Sequence, residues 1–202
     1  ELFYWDYVIG ILLFSIISAF TLGSFGEGGR SFTDDLQQAD NANLFSALLG
    51  GVIFNAANIL FSAAIAIAGM SVAFPIAIGL ALVLGVIINY AASQKGDPSY
   101  LFAGVALVAV AIIINAIAYK RSDRNSQKAS AKGIIISLAA GVLMSFFYRF
   151  IAASMDLENF TVPATGKMTP YTAVFIFSIG IFLSNFVFNT ILMKKPFTGT
   201  SV

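Results

Sequence analysis

Apolar residues run along this chain in long unbroken stretches and do not alternate with polar ones. Residues 41–94, between Asp40 and Lys95, contain no Asp, Glu, Lys or Arg over 54 positions. One bilayer-spanning helix needs about 20 apolar residues, so this run holds two spans. Gly69 divides them, and Pro75 falls early in the second, where proline is tolerated. The same pattern predicts six spans in all, at 3–22, 44–68, 72–92, 100–119, 133–154 and 170–193. Continuous runs argue against a transmembrane β-barrel, whose strands alternate. The predicted fold class is all-α transmembrane, a polytopic helix bundle.

The connections are short except for 23–43 and 155–169. In the first, Gly23, Gly26, Gly28 and Gly29 allow a chain reversal, and Ser31 followed by Asp34 predicts a capped short interfacial helix. Loops 23–43, 93–99 and 155–169 carry Arg30, Lys95 and Lys167. The opposite side carries Lys120, Arg121, Arg124, Lys128, Lys132, Lys194 and Lys195, so the 120–132 loop is expected to be cytoplasmic. Tyr4, Trp5 and Tyr7 open the first span as an interfacial aromatic belt. The first residue is Glu1, at the very edge of a span, and the chain is expected to be a fragment of a longer one.

Composition removes several function classes. Of 202 residues, 58% are hydrophobic and 10% charged, against about 25% charged in a soluble domain. Net charge is +1, which leaves no basic excess for nucleic acid. With 0 Cys and 0 His, Cys/His zinc sites, axial-His haem and His-dependent nucleophiles are excluded. No cofactor is expected. The glycines of 23–29 do not make a dinucleotide fingerprint, since Ser31 stands where the third Gly belongs. Thr165–Met168 fails as a phosphate loop at Thr161 and Met168. Asp34 and Asp35 form the one adjacent acidic pair, at a helix start where acids favour the dipole. The chain is not expected to be an enzyme.

Polar groups inside the spans carry the remaining information, because in hydrocarbon they need a partner or water. Gly51, Asn55, Asn58 and Ser62 share one face of the second span. Ser137, Gly141, Ser145 and Tyr148 repeat that spacing in the fifth, with Arg149 adjacent. Asn185 and Asn189 lie one turn apart in the sixth, below Ser178. Helix packing explains such residues one at a time. Together they predict an uncharged cavity, and amides and hydroxyls suit a neutral polar solute. Asn55, Asn58, Ser62, Tyr148, Asn185 and Asn189 are the candidate substrate contacts, with Trp5 as a stacking or gating surface. Asp6 and Arg149 are the charged residues at membrane depth, each within about two turns of a helix end and so able to snorkel. Read functionally, Asp6 is a gate or a proton-coupling carboxylate, and Arg149 a gating or ligand-facing guanidinium, or a partner of Asp156.

Several segments resemble a known family. They are Glu1–Tyr7, Thr21–Ser24 and Gly29–Phe32 through Asp35–Leu36. The pattern continues through Gly50–Gly51, Phe54–Asn55, Ala57–Asn58, Ala68–Met70, Phe74–Pro75, Gly79–Leu80 and Asn89–Tyr90. This pattern is similar to the ureide permeases and the glucose/ribose porters of the drug/metabolite transporter superfamily, and is densest over residues 1–120. The resemblance implies a ten-helix secondary transporter of two inverted five-helix repeats. On that scheme residues 1–119 are helices two to five of the first repeat, 120–132 the linker, and 133–202 the first two helices of the second. The missing helices of the full-length chain would then be partners in folding. Plant ureide permeases carry a longer central loop, so nucleotide use is not implied here. The superfamily's exporters often have an acidic residue where Asn89–Tyr90 stands, which argues against proton-coupled cation export. The expected function is permeation of a ureide, a nucleobase-like heterocycle or a monosaccharide across the plasma (inner) membrane. The alternatives are a drug exporter of the same superfamily and a non-transport membrane scaffold.

Overall fold

The computed structural model describes residues 2–25, 29–122, 130–195 and 197. Arg124 and Lys128 of the basic linker lie outside them, as do Gly26 and Gly28 of the first loop. The order is α1 (Leu2–Phe20), α2 (Phe32–Gln38), α3 (Asn41–Ala68), α4 (Met70–Ser93), α5 (Pro98–Ser122), α6 (Ala131–Ser154) and α7 (Pro170–Lys194). Six of these, all but α2, are long and apolar enough to cross a membrane. The chain is therefore a multi-pass, all-helical membrane protein. Large apolar side chains point outward along these helices, among them Phe14, Ile17, Leu107 and Ile135, all more than half exposed, as lipid-facing surfaces require.

The helix ends follow local chemistry. Gly69 separates α3 from α4 at φ +78°, a conformation that glycine adopts without a Cβ penalty. Pro75 lies in the second turn of α4, where its missing N–H forfeits one bond. Ser31 caps α2 as expected, its Oγ accepting the Asp34 N–H at 3.3 Å. At 28 residues, α3 exceeds a bilayer-spanning length, and its first turn is used for loop contacts.

The chain divides into two compact units, Glu1–Asn55 with Phe147–Lys194, and Ala56–Phe146 with Lys195–Val202. In the first unit α1 packs along α7 in the opposite direction. Trp5 meets Phe186 edge to face at 4.8 Å, and Ser15 Oγ lies 2.6 Å from Ser178 Oγ. The start of α3 touches α7 backbone to backbone. A Cβ at Gly51 would lie 2.1 Å from the Phe177 carbonyl, and one at Gly180 2.2 Å from the Leu48 carbonyl. Such approach needs residues without side chains. Ala47, Ile151, Met168 and Ala173 form the buried apolar core of this unit, flanked by Phe147 and Phe177.

In the second unit α4 packs on α5, with Gly79 against Ile112 and Tyr90 edge to face with Phe102 at 5.5 Å. Gly141 of α6 lies against Ala77, and Gly133 against Ala68. No residue of the α5 span 98–118 is buried.

Candidate functional site

The candidate site begins with amides on α3 and α7. Asn55 is fully buried, and its Nδ2 donates to Ser184 Oγ at 2.9 Å and to the Ile181 carbonyl at 3.3 Å. Its Oδ1 accepts no hydrogen bond among the described residues. Asn185 adjoins Ser184 on α7 and is also fully buried. Neither its Oδ1 nor its Nδ2 has a hydrogen-bond partner among the described residues. Buried polar groups are nearly always paired, and an orphan costs about 1–3 kcal/mol. The packing of α7 leaves the donors and the acceptor of this amide unsatisfied. Asn189, one turn on, is fully buried and engaged. Trp5 is half-buried against Phe186, the residue after Asn185.

The other expected contacts are distributed differently. Asn58 and Ser62 belong to the second unit, are half-buried, and each already has an interaction. On α6 Ser137, Gly141 and Ser145 are buried as that spacing expects, and the two serine hydroxyls donate to the Gly133 carbonyl at 2.8 Å and the Val142 carbonyl at 2.6 Å. Tyr148 continues their spacing but is 46% exposed, because Phe147 turns inward instead, onto Phe54 and Phe177. Arg149 and Asp6 are exposed. Asp156 accepts the N–H groups of Glu158, Asn159 and Ala164, which shapes its loop.

A second polar centre was not foreseen from the sequence. Asp35 is fully buried on α2. Its Oδ2 accepts the Thr169 N–H at 2.8 Å and the Thr169 hydroxyl at 3.0 Å. Its Oδ1 accepts from Gln38 Nε2 at 3.2 Å and lies 3.4 Å from Arg30 Nε. Gln38 also donates to the Lys167 carbonyl at 2.8 Å and accepts the Gly166 N–H at 2.7 Å. Asn43 donates to the Gly166 carbonyl at 2.8 Å and accepts from Lys167 Nζ at 3.1 Å. These bonds bind loop 23–43 to loop 155–169 and to the start of α7. Of the acidic pair, Asp34 serves the helix start, whereas Asp35 faces inward with Phe32, three residues earlier on the same face. That shared face with an apolar residue was the signal available in the sequence.

Beside this centre lies a cleft of about 190 Å³, walled by Ser24, Arg30, Phe160, Thr161, Thr169 and Tyr171.

Comparison with known proteins adds an independent line. The ureide permease family model matches residues 3–132. Ureide permease 3 of Arabidopsis thaliana is 25% identical over 97% of this chain and 64% of its own length. Ureide permease 1 of the same plant is 24% identical over 97% of this chain and 64% of its own. A probable ureide permease A3 of Vigna unguiculata is 27% identical over 87% of this chain and 47% of its own. The chain thus spans just under two-thirds of the Arabidopsis relatives and about half of the Vigna one. No solved structure matches it. These relatives are named as permeases. With the family model covering most of the six-span chain, this protein belongs to the ureide permease family.

Proposed function

We propose that the protein is a secondary transporter of a small, neutral, ureide-type metabolite. The observation that carries this reading beyond kinship is Asn185. A ureido group presents N–H donors on either side of a carbonyl acceptor. A carboxamide offers the matching acceptor and donors at hydrogen-bonding distance from one another. Asn185 has all of them open, and the Oδ1 of Asn55 adds an acceptor on the facing helix. No Asp, Glu, Lys or Arg is present in residues 168–193 of α7 and its approach, so the site favours an uncharged solute. Asn189 and Tyr148 of the same unit extend the hydrogen-bonding set on this reading, and Trp5 stacks on or gates the solute; Asn58 and Ser62, farther along α3 in the second unit, are not assigned to this site.

Translocation would proceed by alternating access between inverted repeats, opening the amide site to each side in turn. Asp6 is the carboxylate available for proton coupling, Arg149 a gating group, and the plasma membrane the setting.

The test is uptake of labelled allantoin, uracil, glucose and ribose by the full-length protein in transporter-deficient cells. Saturable allantoin or uracil uptake, lost on Asn185→Ala with membrane abundance retained, is the expected result. Saturable uptake of sugars alone would move the assignment to a porter. Uptake of none, with protein in the membrane, overturns the reading.

A further inference from the structure

The cleft beside Asp35 has a composition that the packing of the loops does not require. Tyr171, which walls it, lies 14 residues before Asn185 on α7, about 21 Å along the helix axis at 1.5 Å per residue. The cleft and the buried amides are therefore separate places on one rigid helix. At about 190 Å³ the cleft falls below the roughly 300–1,000 Å³ of drug-sized sites, so it suits a small metabolite.

Its hydrogen-bonding capacity is narrow. Ser24 Oγ donates to the Ala19 carbonyl, and Thr161 Oγ1 to Asn159 Oδ1. Thr169 Oγ1 is held by Asp35 and Thr172. Arg30 is different. Its Nη2 donates to the Pro163 carbonyl, and its Nε stands 3.4 Å from Asp35 Oδ1 without a hydrogen bond. Its Nη1 makes no hydrogen bond among the described residues, and its side chain is 23% exposed where it walls the cleft. Nε being buried and Nη2 engaged, the guanidinium keeps its Nη1 N–H groups open, while its charge is balanced by the buried Asp35 carboxylate. A balanced pair does not select an anion. It offers fixed donors to a carbonyl oxygen. Phe160, half exposed, and Tyr171, 38% exposed, supply ring surfaces for a flat solute.

We propose that this cleft is a second, outer binding site. It takes a neutral, planar solute whose carbonyl accepts from Arg30 and whose flat face lies on Phe160 and Tyr171. The charge bias of the loops puts this end of the bundle outside, so the site captures solute before it enters. The inference rests on the ureide-transport reading above and deepens it.

The experiment compares full-length wild type with Phe160→Ala and Arg30→Lys for initial-rate uptake of labelled allantoin, with membrane abundance measured alongside. Equilibrium binding of the same compound to purified protein completes the set. Loss of a ring contact is expected to raise KM about three- to tenfold in Phe160→Ala, with Vmax within about twofold. Arg30→Lys keeps the charge but not the planar fork, and is expected to raise KM as well. Purified wild type should bind two equivalents and Phe160→Ala one. Phe160 takes no part in the Asp35 network, so its variant remains informative if Arg30→Lys misfolds. Wild-type uptake with unchanged KM in Phe160→Ala, or a single binding equivalent in wild type, overturns the outer site and leaves the transport reading standing. Neither uptake nor binding by wild type overturns both.

Discussion

Two neighbouring amides give opposite predictions when replaced. Asn55 donates two hydrogen bonds to α7, so Asn55→Ala should destabilise by about 0.6–2 kcal/mol, the range for interhelical bonds in membranes. Asn185 donates and accepts none among the described residues, so the isosteric Asn185→Leu should stabilise by about 1 kcal/mol while abolishing uptake. Thermal unfolding in detergent, paired with the uptake assay, reads both. A destabilised Asn185→Leu would assign that amide to packing. Asp35 is first a matter of stability. Asp35→Ala removes the acceptor of the Thr169 N–H and leaves Arg30 uncompensated. Breaking a buried pair costs about 3–5 kcal/mol, and the partial exposure of Arg30 puts the expected loss near 3. An unfolding midpoint matching wild type would contradict the role given to Asp35.

Helices were legible in the sequence because hydrocarbon imposes a length and forbids charge, and both leave marks that need no tertiary information. The spans at 3–22 and 170–193 therefore match α1 and α7 to within a few residues. Which face a helix buries was less legible. Along α6 the spacing of Ser137, Gly141 and Ser145 pointed to Tyr148, yet Phe147, Ile151 and Ser154 take up the inward position beyond it. Periodicity assumes one neighbour along a whole helix, whereas α6 contributes to two units. The Asp35 network was not legible because its partners lie up to 134 positions away, and no local rule reports them. Glycine spacing was the better guide. Gly51→Ala should drive α3 from α7, since its Cβ would fall 2.1 Å from the Phe177 carbonyl. A loss of about 1–3 kcal/mol or more is expected, with a lowered unfolding midpoint. Gly10, whose Cβ would meet nothing within 4 Å, is the control that should tolerate alanine.

At the scale of the whole molecule, the family match and the fold divide the explanation between them. The family model covers residues 3–132, whereas α7, with its open amide, lies beyond that match. The curated relatives align over 97% of the chain, so the kinship reaches α7 as well, and the proposed recognition chemistry is what α7 adds to it. The first unit draws α1 and α7 together across 163 positions of sequence, which sets a schedule for the ribosome. At about 5–20 residues per second, α1 waits roughly 8–33 s in the membrane before its partner is made. During that interval a lone serine hydroxyl in lipid would invite the wrong neighbour. Ser15 already donates to the Leu12 carbonyl at 2.8 Å and Ser178 to the Phe175 carbonyl at 2.7 Å, so each helix can travel with its polar group sheltered on its own backbone. A hydroxyl carries one proton, so when the helices meet one serine turns its O–H from its own carbonyl to the other's oxygen, and the contact exchanges one hydrogen bond for another without passing through an unpaired donor.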